Sequence, residues 1–98
     1  MGENTRVSVG QPEVTDPLTE LLRQGSRDLI FHAVEIEFGA FLAEYEALLD
    51  DEGRRQVVRN GYLPEREVQT GIGPVSVRVP RVRDRGDSGI VFPSNLLP

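Results

Sequence analysis

The spacing of the apolar residues changes near Gly53, and this change strongly limits the fold. From Leu18 to Leu49 most apolar residues lie three or four positions apart, which is the spacing of one face of an α-helix. After Gly53 the apolar residues alternate with polar ones, which is the period of a β-strand. The sequence therefore predicts an α+β fold with helix first and strands after.

The helical segment has a well-marked start and one weak point. Asp16 can accept hydrogen bonds from the first backbone amides, and Pro17 suits the first helical position because its missing N–H would have no partner there. Gly25-Ser26 interrupts the helix-forming residues, so residues 16–52 are predicted to form one kinked helix or two packed helices. The apolar stripe wraps around the helix, which favours two helices that pack together or one long helix that dimerises. Gly53 is the predicted stop.

The alternating segment predicts a β-hairpin. Two alternating runs, residues 65–70 and 75–79, flank Gly71-Ile72-Gly73-Pro74, which has the composition of a four-residue turn. The hairpin is predicted over about residues 65–83, and Pro80 is predicted to end its ladder or to lie on an edge. One face of the second strand carries three valines, Val75, Val77 and Val79.

The composition divides the chain into four segments. Residues 1–14 contain few apolar side chains and are predicted to be a disordered lead-in. An acidic helical segment follows over residues 15–53, and a basic hairpin segment over residues 54–85. Residues 86–98 are predicted to be a loop or tail, so that both termini are disordered.

Several classes of function are excluded by composition. The 98 residues include no cysteine and one histidine, which excludes a disulfide scaffold and a thiolate zinc site. No two carboxylates have the spacing of a catalytic pair, so no catalytic residue, metal ligand or cofactor is assigned. The N-terminus lacks a basic and an apolar region, and no apolar run could cross a bilayer. We expect a cytoplasmic protein with no membrane partner.

Charge is distributed unevenly along the chain. Residues 1–53 carry twelve acidic side chains and three arginines, a net charge of −9, whereas residues 54–98 carry eight arginines and four acidic side chains, a net charge of +4. Such asymmetry is typical of a chain whose basic end binds an anionic partner. The alternative is that the two halves neutralise each other, within one chain or in a dimer.

The arginines of the second half predict contact with nucleic acid. A guanidinium group pairs with phosphate in a fork geometry and never deprotonates, and a β-ribbon fits the major groove of DNA. The alternative is a solvated strand face whose arginines reflect base composition, because the chain contains no lysine. We predict phosphate contacts from Arg66, Arg78, Arg81 and Arg83. The wider cluster comprises these four together with Arg54, Arg55, Arg59 and Arg85.

An ordered set of motifs resembles the N-terminal region of mutator-type bacterial insertion-sequence transposases. The resemblance covers about residues 15–98 and is most specific over residues 60–83. Upstream it includes Asp16-Pro17-Leu18, Leu21-Leu22, Glu35 to Phe38 and Phe41-Leu42; in the hairpin it includes Asn60-Gly61-Tyr62, Arg66, Val68, Thr70, Gly73, Val75, Val77, Pro80-Arg81 and Arg83; at the end it includes residues 92–98.

This resemblance implies a role in DNA transposition. In that family the N-terminal region binds the inverted repeats at the ends of the mobile element, and a later ribonuclease-H-like domain cleaves DNA with three acidic residues and two divalent metals. The segment stops before that domain, so we expect it to bind double-stranded DNA and to be inactive alone. An alternative is a helical module that forms homodimers or pairs with full-length transposase, as an inhibitor or as a non-functional remnant.

Overall fold

A computed structural model describes residues 16–98 and confirms the α+β fold. The predicted lead-in, residues 1–14, lies outside the described residues. One helix is followed by four strands: α1 (Pro17–Glu44), β1 (Val57–Tyr62), β2 (Arg66–Thr70), β3 (Gly73–Val77) and β4 (Pro80–Asp84). Within this part of the chain, no helix is both long enough and apolar enough to cross a membrane.

Helix α1 begins where the sequence predicts. The Oδ1 atom of Asp16 accepts a hydrogen bond from the backbone N–H of Thr19 at 2.6 Å, and Pro17 occupies the first helical position. The helix runs through Gly25-Ser26 without a break, so a single helix forms and the alternative of two packed helices is wrong. Packing against the strands outweighs the cost of about 1 kcal/mol for a helical glycine.

The predicted end of the helix is wrong. Helix α1 stops at Glu44, eight residues before the predicted boundary at residue 52. The carboxylate of Asp50 accepts hydrogen bonds from the backbone N–H groups of Glu52 and Arg54, both at 2.9 Å, and so closes a tight turn. Because a side chain that bonds nearby backbone amides competes with helix formation, Asp50 stabilises a turn where the apolar spacing would have continued the helix.

The predicted hairpin is confirmed, with a shorter loop. Strands β2 and β3 are antiparallel, with Val68 opposite Val75 and Thr70 opposite Gly73. Only Gly71 and Ile72 therefore form the loop, and the predicted four-residue turn is wrong. The hydroxyl of Thr70 accepts from the N–H of Ile72 at 3.2 Å and donates to the carbonyl of Gly73 at 2.8 Å, which extends the pairing to the loop.

A second strand pair, β1 with β4, continues the hairpin and was not predicted. The pairing is antiparallel, and a hydrogen bond of 2.8 Å from the N–H of Leu63 to the carbonyl of Val79 lies between the two pairs. Pro80 begins β4 rather than ending the ladder, because a two-stranded sheet has only edge strands, where a missing N–H is tolerated. We call the four strands together the ribbon.

The core lies between helix α1 and one face of the ribbon. Val34 and Phe38 are the buried residues of the helix, and Phe38 is completely inaccessible to solvent. The ribbon contributes five buried valines, Val57, Val68, Val75, Val77 and Val79. The three valines predicted to share a face are therefore all in the core.

The C-terminal segment, residues 86–98, contains neither helix nor strand but is not disordered as predicted. The ring of Phe92 packs edge-on against Phe38, with centroids 5.0 Å apart. The carboxylate of Glu37 accepts hydrogen bonds from the hydroxyl of Ser94 at 2.7 Å and from the N–H of Asn95 at 2.6 Å. These contacts hold the segment along α1, because the helix offers both an apolar surface and an acceptor.

Candidate nucleic-acid interface

The β1–β4 pair of the ribbon has two faces of different chemistry. Val57 and Arg59 point toward helix α1, so the alternate residues of β1, Val58 and Asn60, lie on the opposite face. We call this opposite side the outer face. Because directly paired residues share a face and Arg83 is opposite Val58, Arg83 belongs to the outer face.

Arg81 and Arg83 lie together on the outer face. They are two residues apart on β4, so their Cα atoms are about 6.6 Å apart and their side chains point the same way. The Nε atom of Arg81 donates to the carbonyl of Asn60 at 3.0 Å, which fixes the base of that side chain and leaves its two Nη atoms exposed. Within residues 16–98 the side chain of Arg83 has no hydrogen-bond or ion-pair partner.

Arg66 and Arg78, the other two predicted contacts, lie elsewhere. Arg66 is opposite Val77 on the side of the ribbon that faces α1, and its Nη2 atom donates to the carbonyl of Pro98 at 3.0 Å. The guanidinium of Arg78 stacks on the ring of Tyr62, with 4.5 Å between its Cζ atom and the ring centroid. Both side chains are exposed, and neither pairs with an aspartate or glutamate side chain within the described residues.

The structure therefore divides the four predicted arginines. It brings Arg81 and Arg83 together on one surface, whereas Arg66 and Arg78 lie at the border with the helix. Arg85 follows the same alternation beyond the end of β4, and its Nη1 atom donates to the carbonyl of Arg55 at 3.2 Å. The alternation of residues 81, 83 and 85 is visible in the sequence and would have identified this third outer-face arginine.

Three arginines of the second half are held by carboxylates. Arg54 pairs with Asp50 at 3.2 Å and with Glu52 at 3.3 Å, and Arg55 pairs with Glu46 at 3.5 Å. Arg59 pairs with Glu35 of helix α1. Neutralisation between the two halves of the chain thus accounts for these three arginines but not for the outer face.

The hydrogen bond from Tyr62 to Glu35 depends on a bulge in β1. Two residues of β1, Asn60 and Gly61, oppose a single residue of β4, Arg81, between paired positions, and Gly61 has a φ of 67°. The extra residue turns Tyr62 to the helix side, where its hydroxyl donates to the Oε2 atom of Glu35 at 3.1 Å.

Glu35, Arg59 and Tyr62 form a compact polar contact between helix and ribbon. The guanidinium of Arg59 also lies over the ring of Phe38, with 4.7 Å between Cζ and centroid. Hydrogen bonding from Arg59, with a further hydrogen bond from Tyr62, holds the pKa of the Glu35 carboxyl below its ordinary value. Sequence reasoning missed this contact, because no local pattern connects residues 24 positions apart.

The loop after β4 is fixed by Asp84. Its carboxylate accepts from the backbone N–H groups of Gly86 at 2.9 Å and Ile90 at 3.0 Å, and from the side chain of Gln56 at 2.8 Å. The two backbone amides, of Ile90 first, lower the pKa of the Asp84 carboxyl. These hydrogen bonds hold the loop at the end of β4, next to the outer-face arginines.

Two further findings concern metal binding and similarity to known proteins. Among residues 16–98, no group of three or more acidic or histidine side chains could hold a metal ion. Comparison with protein-family models, with curated proteins and with solved structures finds no match for this chain.

Proposed function

We propose that this chain binds double-stranded DNA through the outer face of its ribbon, as the N-terminal DNA-binding part of a mutator-type transposase that recognises terminal inverted repeats. One observation supports this proposal most directly: Arg81 and Arg83 lie side by side on an exposed strand, and neither is paired with a carboxylate among the described residues. The motifs that resemble that transposase family are the reason for proposing terminal inverted repeats as the DNA that is bound.

The shape of the outer face suits a DNA groove. A two-stranded ribbon is narrow enough to enter the major groove, which is about 12 Å wide. Arg81 and Arg83 would then contact phosphates directly, and Arg66 and Arg78 would contact them from the border of the ribbon. Phosphate contacts of this kind position a protein on DNA, whereas base contacts provide specificity.

The salt dependence of binding tests how many arginines take part. We expect log affinity to fall with log salt concentration at a slope of roughly −3.5 if all four arginines each neutralise a phosphate, and of about −1.8 if only Arg81 and Arg83 do. The affinity of the purified chain for a labelled duplex, measured between 50 and 200 mM salt by fluorescence anisotropy, gives this slope. A flat response would contradict the proposal.

A pair of double variants locates the interface. The double variant Arg81→Gln, Arg83→Gln should reduce the magnitude of the slope of log affinity against log salt concentration by about 1.8. The matched control, Arg54→Gln with Arg55→Gln, removes the same charge from side chains already paired with carboxylates and should leave the slope nearly unchanged. Equal effects of the two double variants would show that only net charge matters and would overturn the assignment to the outer face.

The proposed class of DNA has its own test. Selection from a library of random duplexes should recover one preferred sequence, and that sequence should occur as an inverted pair flanking the coding region of this chain. Binding without any sequence preference would contradict recognition of inverted repeats while leaving the phosphate contacts intact.

A further inference from the structure

Within residues 16–98, nothing covers the side of helix α1 that faces away from the ribbon, and this side is mostly apolar. At 100° per residue, a sector about 120° wide along the whole helix contains no Asp, Glu or Arg, and its one ionisable side chain is His32. Its five large side chains are between 51% and 74% exposed: Leu18, Leu21, Leu22, Leu29 and Ile36. We call this sector the back face of α1, and it lies opposite the face that packs on Val75 and its neighbours.

The area of the back face is large enough for weak association. The exposed parts of its five large side chains amount to roughly 200–400 Å² of apolar area in one copy. Two such faces together would bury roughly 400–800 Å² from these side chains alone, which is below the roughly 1,200 Å² of a standard specific interface, so the association should be weak.

We propose that two copies of this chain pair through the back face, with their α1 helices antiparallel. Leu22, Leu29 and Ile36 are seven residues apart and form the seam that a second helix can pack against. The helix spans Pro17 to Glu44. In an antiparallel pair aligned over this full length, the numbers of two residues that lie opposite each other, one from each copy, add up to 61.

This alignment places large residues opposite small ones at the two ends of the seam, whereas at its centre Leu29 lies opposite His32 of the partner copy. Leu22 lies opposite Gly39 of the partner copy, and Ile36 lies opposite Gly25 of the partner copy. Leu18 likewise lies opposite Ala43 of the partner copy. Side chains of alternating size interdigitate and fill the space between two helices without voids.

A parallel pair would pack poorly on the same face. Gly25 would face Gly25 and Gly39 would face Gly39, which leaves two gaps in the seam. Within residues 16–98, and apart from the neighbouring backbone of the helix itself, no heavy atom lies within 4 Å of the position of a Cβ at Gly25 or Gly39. The antiparallel pair fills these two spaces with Ile36 and Leu22.

The charges at the border of the back face are compatible with this pairing. Asp28 would lie near Glu35 of the partner copy, and the charge of that carboxylate is already balanced by its ion pair with Arg59. The surface has no cation that would attract DNA and no cluster of charges that would select a charged protein. The back face of α1 and the outer face of the ribbon point in opposite directions. Pairing through the back face therefore leaves Arg81 and Arg83 accessible.

Disruption of the back face tests the pairing. Sedimentation equilibrium should show a dimer of the full chain at tens to hundreds of micromolar, and Ile36→Glu should weaken it at least 30-fold. The side chain of Ile36 is 74% exposed, so the circular dichroism of the variant should keep the helical signal. Val91→Glu, at an equally exposed apolar residue outside the helix, is the control and should leave the dimer unchanged.

Two results would overturn the pairing: a wild-type chain that remains monomeric at several hundred micromolar, or an equal loss with Val91→Glu. Either result would leave the DNA proposal standing, because the two proposals use different residues. Conversely, loss of DNA binding in the Arg81 and Arg83 double variant should leave sedimentation unchanged.

The orientation of the helices has a separate test. Gly39→Leu should weaken an antiparallel dimer about tenfold, because it fills the space needed by Leu22 of the partner copy, whereas it would strengthen a parallel dimer. The chain has no cysteine, so introduced cysteines report only on this interface. Leu22→Cys should cross-link to a Gly39→Cys chain but not to itself, since two copies of residue 22 would be about 25 Å apart. Efficient self-cross-linking would overturn the antiparallel arrangement.

Discussion

The two faces of the ribbon use the same kind of residue in opposite ways. On the helix side, Arg59 pairs with Glu35, which also accepts a hydrogen bond from the hydroxyl of Tyr62, and the guanidinium of Arg59 lies over the ring of Phe38. On the outer face, Arg81 and Arg83 are exposed and have no carboxylate partner among the described residues. Arginine on this ribbon therefore either fastens the ribbon to the helix or remains available for an external anion.

The bulge in β1 adds Tyr62 to the helix side of the ribbon. If these residues formed a regular strand, Arg59 and Tyr62 would lie on opposite faces, because residues three apart on a regular strand point in opposite directions. With the bulge both reach Glu35, and β4 keeps its regular alternation opposite them. The positive φ of Gly61, in the Asn60-Gly61 dipeptide, allows the bulge at low energetic cost.

The largest effect that we predict is on the helix side. Phe38→Ala removes a completely buried ring and the support under the Arg59 guanidinium, so the free energy of unfolding should fall by about 3–5 kcal/mol. Arg83→Ala on the outer face should change it by no more than about 0.5 kcal/mol. Urea unfolding followed by circular dichroism measures both values, and similar losses at the two positions would show that the faces do not differ as described.

The sequence predicted the elements that rest on local patterns. The cap at Asp16, the strands around Gly71 and the shared face of Val75 and Val77 follow from spacing and turn chemistry alone. Strands β1 and β4 could not be predicted, because Val57 and Val58 are adjacent and Pro80 has the properties of a strand terminator. Their pairing depends on contacts between residues 18 to 27 positions apart.

The candidate site was predictable to the same limited extent. The alternation of Arg81 and Arg83 is sufficient to place them on one face once a strand is assumed. Nothing local shows that Arg59 meets Glu35, or that Arg66 reaches the end of the C-terminal segment at Pro98. Arginines with external and internal roles are therefore indistinguishable until the tertiary pairing is known.

A smaller effect is predicted when the helix-side ion pair is broken. Glu35→Gln leaves Arg59 half-buried without a countercharge, and we expect a loss of about 1–2 kcal/mol at pH 7, below the full value of a buried ion pair because Arg59 is partly exposed. Glu67→Gln, the same change on an exposed strand position, is the control and should have little effect. The loss should shrink in high salt, and an equal loss at Glu67 would contradict a special role for Glu35.

The smallest predicted effect concerns the pH dependence of the same contact. Because the pKa of Glu35 is lowered in the folded chain, its contribution to the free energy of unfolding is fully present above the unfolded value near 4.3 and is lost as pH falls through the folded value. Asp16, Asp50 and Asp84 also have lowered pKa values and contribute in the same direction.

Wild-type stability should therefore decline as pH falls from about 5 to 3, and Glu35→Gln should decline less steeply, since one of the groups that takes up a proton on unfolding has been removed. Urea unfolding at several pH values gives the two slopes, with Glu67→Gln expected to run parallel to the wild type. Equal slopes for Glu35→Gln and wild type would mean that the helix-side carboxylate titrates alike in the folded and unfolded chain. In that case the contact between Glu35 and Arg59 would not distinguish the helix side of the ribbon from its outer face.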